Sequence, residues 1–205
     1  MTQDPIVLGF DTSAHHCTAA VVQGDRVLAH RFVTMPKGQA ENLMGIIDDT
    51  LAEAGTVLAS LSAIGVGIGP GNFTGIRISV SAARGLALGL GCKAVGVSGF
   101  DALRYGVEGP CACAIDARRG DVYVQQFHAD GVPSGSPTIV PADSIPVHQG
   151  PLIGVLGADP KHPIAVAIAA IAAQRYERDT QKPAPFYIRP ADAAPARDAG
   201  QILLS

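Results

Sequence analysis

Charged side chains are scarce in this sequence: they make up 16% of its 205 residues, and acids outnumber bases to leave a net charge of −3. No global basic field therefore exists to hold nucleic acid, so a role near RNA needs a partner to supply most phosphate contacts. Cysteine is sparse too. Cys17, Cys92, Cys111 and Cys113 match no zinc or redox spacing and read as reduced core thiols, the last two alternating along a strand. Six histidines occur (His15, His16, His30, His128, His148 and His162), and no two stand four residues apart, which argues against a helical metal site. The opening MTQDPIVLGF carries no basic stretch before its short apolar run and no cleavage pattern, which points to a cytoplasmic protein. No Ser/His/Asp or metal constellation supports a peptidase.

Hydrophobic residues, by contrast, make up 47% of the chain. That is enough to bury one large domain or two small lobes, it excludes wholesale disorder, and the excess hints at surface covered by a partner. Three apolar runs, 7–10, 17–22 and 26–34, are joined by short polar turns and predict an antiparallel meander. A helix over 39–54 follows, stopped by Gly55, and its apolar side covers close to half the circumference. A strand at 63–68, a helix at 73–90 and a strand at 94–97 complete a βββαβαβ order. The Gly-Pro break near 98–110 marks a lobe boundary, dividing the chain into residues 1–100 and 101–205. Beyond it, 111–116 and 121–128 read as a hairpin through Ala117, Arg118, Arg119 and Gly120, short strands are expected at 138–140 and 152–156, and a last helix runs from Asp159-Pro160 to about Arg175. The Pro/Ala-rich tail from Gln181 is expected to be irregular and docked through Phe186, Tyr187 and Ile188. The sequence shows no internal repeat, although two lobes that each open on a hairpin could be a structural duplication.

The stretch AIGVGIGPGNFTGIRISVSAARGLALGL, residues 63–90, organises the rest. Gly69 and Gly71 allow positive φ around Pro70, Asn72 or Thr74 caps the helix that begins at Phe73, and Gly75 stands in its first turn. A glycine-rich turn entering a helix is a ready anion site, but neither the Walker ending nor the full dinucleotide fingerprint is present. On the helix, Arg77, Ser81, Arg84 and Leu88 share one narrow face and nearly everything else is apolar, so it needs cover on more than one side.

The run GIGPGNFTGIR (67–77), extended by GLALG (85–89), resembles the signature of the bacterial TsaB (YeaZ) family. GFDTS (9–13), VGVS (95–98), IDAR (115–118) with DVY (121–123), and PFYIR (185–189) add to the match. The resemblance implies an α/β fold of the actin, sugar kinase and Hsp70 (ASKHA) class, with a βββαβα first lobe and a reduced second lobe. It also implies a non-catalytic companion of TsaD, which carries the metal and transfers the threonylcarbamoyl group to tRNA, joined by the ATPase TsaE. ATP and the metal would then belong to the complex rather than to this chain, tRNA would be met only through the complex, and no membrane is involved. Homodimers through the first-lobe helices, on the surface for which TsaD competes, are a further implication. The residues expected there are Gln39, Leu43, Ile47 and Leu51 on the first helix and Arg77, Ser81, Arg84 and Leu88 on the second.

Asp11 stands where kinases of this class keep a phosphate-loop or Mg²⁺ aspartate. It is either a remnant nucleotide contact or a strand-end Asp capping its own turn, and Thr12 and Ser13 replace the glycines of such a loop. Asp116, with Arg118 and Arg119, sits at the hairpin tip where a second phosphate loop would be; the tip is either merely solvated or a partner or RNA contact. Arg77 and Arg84 either reach solvent over their stems or pair with carboxylates, such as Glu41, Asp48 or a partner's acids. The alternative to a companion subunit is an ATP-dependent kinase or carbamoyltransferase of the same fold.

Overall fold

Alternation along the first strand sets the layers of the molecule. In β1 (Ile6–Asp11), Leu8 and Phe10 point into one core while Val7 and Gly9 face the opposite side, as the period of two requires. β1 pairs antiparallel with β2 (His16–Gln23), and β2 pairs antiparallel with β3 (Arg26–Thr34). β4 (Ala63–Gly67) lies parallel to β1, and β5 (Lys93–Val97) lies parallel to β4, giving the order β3-β2-β1-β4-β5. The structure is a computed structural model and describes residues 4–188.

Two helices cover one face of this sheet. α1 (Gln39–Glu53) buries Leu43, Ile46, Ile47, Thr50 and Leu51, a stripe at i, i+3, i+4, i+7 and i+8, against β2 and β3. α2 (Phe73–Leu90) turns Ile76, Val80, Ala83 and Ala87 inward against β4 and β5.

The other face is closed by α4 (Ile164–Arg175), an alanine-rich helix buried nearly all round. It lies unusually close to the sheet. A Cβ at Gly9 would stand 2.5 Å from the Ala165 carbonyl oxygen, and one at Gly65 2.8 Å from that of Ile168. α4 begins after Pro163 rather than at Asp159-Pro160. Proline at 163 has no N–H for the first intrahelical bond of a helix started at 160, and it disfavours helical geometry at His162. Because α4 completes the core of the first sheet, the boundary expected at residue 100 does not separate the lobes in sequence: residues 164–175 return to the first.

α3 (Gly99–Arg104), capped by the Ser98 hydroxyl, leads to a second sheet. β6 (Cys111–Arg118) and β7 (Asp121–Phe127) form the expected hairpin, β8 (Thr138–Pro141) flanks β7, and β9 (Leu152–Gly154) runs parallel to β6. The order β8-β7-β6-β9 repeats β3-β2-β1-β4. Two related sheets, the second reduced, make the two-lobed ASKHA plan, and the cleft between them is roofed by residues 186–188.

Candidate functional site

The β1–β2 turn and the glycine loop interlock at the base of the cleft. Asp11, 3% exposed, accepts at Oδ2 from the Ser13 N–H (2.9 Å), the Ser13 hydroxyl (2.9 Å) and His16 Nε2 (2.7 Å). Of its two readings, the turn cap is the one the geometry displays. The Asn72 N–H donates to the Ser13 carbonyl at 2.6 Å and the Thr12 hydroxyl to the Gly75 carbonyl at 2.6 Å. Contact is so close that a Cβ at Gly71 would overlap the Ser13 oxygen and one at Gly75 the Thr12 oxygen.

Asn72 rather than Thr74 caps α2: its Oδ1 accepts from the Thr74 and Gly75 N–H groups at 3.0 and 3.1 Å. The anion site expected at this N-terminus is thus filled by the protein's own carboxamide, and the Ser13, Asn72, Thr74 and Gly75 N–H groups are all bonded within the protein. Gly69, at positive φ, accepts from the Gly99 N–H and ties the loop to α3, while Pro70 and Phe73 line the cleft.

The hairpin tip faces this loop across the cleft. Arg118 and Arg119 both have left-handed φ (64° and 57°), and Asp116 Oδ1 accepts the Arg118 N–H at 2.8 Å, closing the turn. The Arg118 guanidinium reaches the first lobe and donates through Nη2 to His15 Nε2 at 3.3 Å. Sequence reasoning missed His15 and His16, whose partners lie 103 residues away and at a buried carboxylate. The resulting cleft has a volume of about 940 Å³. The tail closes one wall as expected: the Phe186 N–H donates to the Ile68 carbonyl, Tyr187 stacks on Phe73 at 4.8 Å, and Ile188 joins the apolar cluster beneath. Arg189 of the matched PFYIR run lies outside the described residues.

The helix pair differs from expectation. Gln39, Leu43, Ile47 and Leu51 do not face outward: Leu43, Ile47 and Leu51 are core residues, and Gln39 donates from Nε2 to the Ala14 and Met35 carbonyls. The sheet takes the whole apolar stripe of α1, and only Met44, 40% exposed, is left out. Arg77 pairs with neither Glu41 nor Asp48; its guanidinium lies 3.8 Å over the Phe73 ring and its Nε donates to the Tyr187 hydroxyl. Ser81, Arg84 and Leu88 do share an exposed face of α2, with Leu88 85% exposed. Gly45 on α1 and Gly85 and Gly89 on α2 have nothing beside them within 4 Å.

Burial, with the Asp11 charge second, pushes the Cys17 thiol up to about 11, and burial also raises Cys111 and Cys113, so none offers a thiolate at neutral pH. Among the described residues no group of three His, Cys, Asp or Glu could hold a metal, and no helix is long and apolar enough to cross a membrane.

Comparison with known proteins places this geometry in context. The family described as TsaD, tRNA N6-adenosine threonylcarbamoyltransferase, matches residues 34–133. The tRNA threonylcarbamoyladenosine biosynthesis protein TsaB of Escherichia coli is 34% identical over 129 residues, 60% of this chain and 55% of that protein, so the match spans about half of the relative's length. An uncharacterised protein of Mycobacterium tuberculosis is 32% identical over 202 residues, covering 92% of this chain and 94% of the relative. The solved structure of YeaZ from Pseudomonas aeruginosa superposes with a TM-score of 0.72 at 26% identity, covering 90% of this chain and all of that one.

Proposed function

Because the chain belongs to the TsaB (YeaZ) family, we propose that it takes part in tRNA threonylcarbamoyladenosine biosynthesis as a non-catalytic companion that binds TsaD. What supports this reading is the outward face of the α1–α2 pair. There Leu88 stands 85% exposed among Ser81, Arg84 and the open-sided Gly85 and Gly89, and α1 adds the exposed Met44 and Gly45. A large aliphatic side chain surrounded by glycines lets a partner helix approach closely, and Arg84 at its margin supplies a charge for orientation.

In this reading the corrected docking surface is Met44, Gly45, Ser81, Arg84, Gly85 and Leu88, with Arg77 held at its edge by Tyr187. TsaD supplies the metal and the transfer chemistry, TsaE supplies ATP hydrolysis, and tRNA meets the complex rather than this chain alone. A second copy occupies the same face when TsaD is absent.

Reconstitution tests the role. Threonylcarbamoyl transfer to unmodified tRNA is assayed with TsaD, TsaE and the threonylcarbamoyl-adenylate supply, with and without this chain. The companion role predicts that activity vanishes on omission and that the chain alone shows none. Full activity without it, or turnover by the chain alone, would overturn the role.

A further inference from the structure

The cleft between the lobes is distinct from the helix face and has a chemistry of its own. Its interior is apolar: Leu103, Ile115, Ile164 and Ile168 line it, all buried or half-buried. Its lip on the second-lobe side carries Arg118 and Arg119, both exposed. Of the acids beside them, Asp116 accepts the Arg118 N–H, Asp11 accepts from Ser13 and His16, and Asp121 stands opposite Arg118 across the hairpin. The opposite lip offers the rings of Phe32, Phe73 and Tyr187.

A polyphosphate is a poor fit here. Its usual cradle of backbone N–H groups is missing, because the donors of Ser13, Asn72, Thr74 and Gly75 are already bonded within the protein. The two arginines are also held in left-handed backbone, where glycine or asparagine would be at ease, and such strain persists where a side chain is needed. An apolar cavity of this size with a few convergent cations matches a small amphipathic molecule.

We propose that this cleft is a binding site for an amphipathic carboxylate, its apolar body among Leu103, Ile115, Ile164 and Ile168 and its carboxylate between Arg118 and Arg119. The carboxylate competes with His15 for the Arg118 guanidinium, and a bidentate charge-assisted pair replaces the single 3.3 Å bond to the His15 ring. The site is independent of the role in tRNA modification, and neither stands or falls with the other.

The test uses the full chain and 1-anilinonaphthalene-8-sulfonate as a fluorescent probe, displaced by decanoate, decanol or ATP. One variant, Arg118→Asn with Arg119→Gly, removes both charges while suiting the turn. A second, Val155→Trp, fills the mouth from a position that is 40% exposed. Circular dichroism and thermal midpoint establish that both fold. The expected result is saturable displacement by decanoate, at least tenfold weaker in each variant, with decanol at least tenfold weaker than decanoate and ATP without effect. Displacement by decanoate that both variants leave unchanged, equal displacement by decanol, tighter displacement by ATP, or no saturable displacement would each overturn the proposal.

Discussion

Single residues here divide by whether their partners are local. The Asp11 turn and the Asn72 cap use groups within five positions, so their chemistry is written in the local string. His30 on β3 behaves differently. Its Nε2 lies 3.4 Å from the Thr18 hydroxyl, and burial lowers its pKa from 6.5, with Glu53 opposing. A folded pKa below the unfolded one means that the unfolded chain takes up the proton first, so this contribution is present above about pH 6.5 and is lost as pH falls from there through the lower folded value. The urea midpoint should therefore drop between pH 7.5 and 5.5, and drop less in His30→Gln. An equal drop in both would contradict this account of His30.

At the scale of elements, packing rather than propensity decides what faces what. α2 starts from its Asn72 cap and runs Phe73–Leu90 as expected, and α1, Gln39–Glu53, stops within a residue of the expected end ahead of Gly55. Which side of α1 faces out was not legible, because its apolar stripe fits a sheet and a partner equally well until the width of β2 and β3 is known. α4 was legible as a helix and not as a lid on the first sheet, since Gly9 and Gly65, which admit it, lie more than ninety residues earlier. Gly65→Val would drive a branched side chain into Ile168 and Ala172. Urea unfolding should show a loss of about 1–3 kcal/mol, the range of core overpacking. A loss under about 0.5 kcal/mol, typical of surface changes, would mean that α4 does not lie this close.

For the whole molecule, the repeated strand order of the two sheets is topology without a sequence echo: β6 and β7 restate β1 and β2 with different side chains on the same alternation. The cleft exists only because both lobes are present, and its contacts span Arg118 to His15 and Tyr187 to Arg77. The helix face is the part of the surface on which the proposed function rests, and it is physically separate from the buried Leu43 and Ile47, whose removal would unfold the lobe instead of testing an interface. The most direct measurement is a calorimetric titration of TsaD with the wild-type chain, with Leu88→Asp and Gly85→Trp on the face, and with Val147→Asp, which is 98% exposed in the second lobe, as control. The account predicts that each face variant weakens binding at least tenfold with an unchanged thermal midpoint while the control binds as wild type; face variants that bind TsaD normally would contradict it.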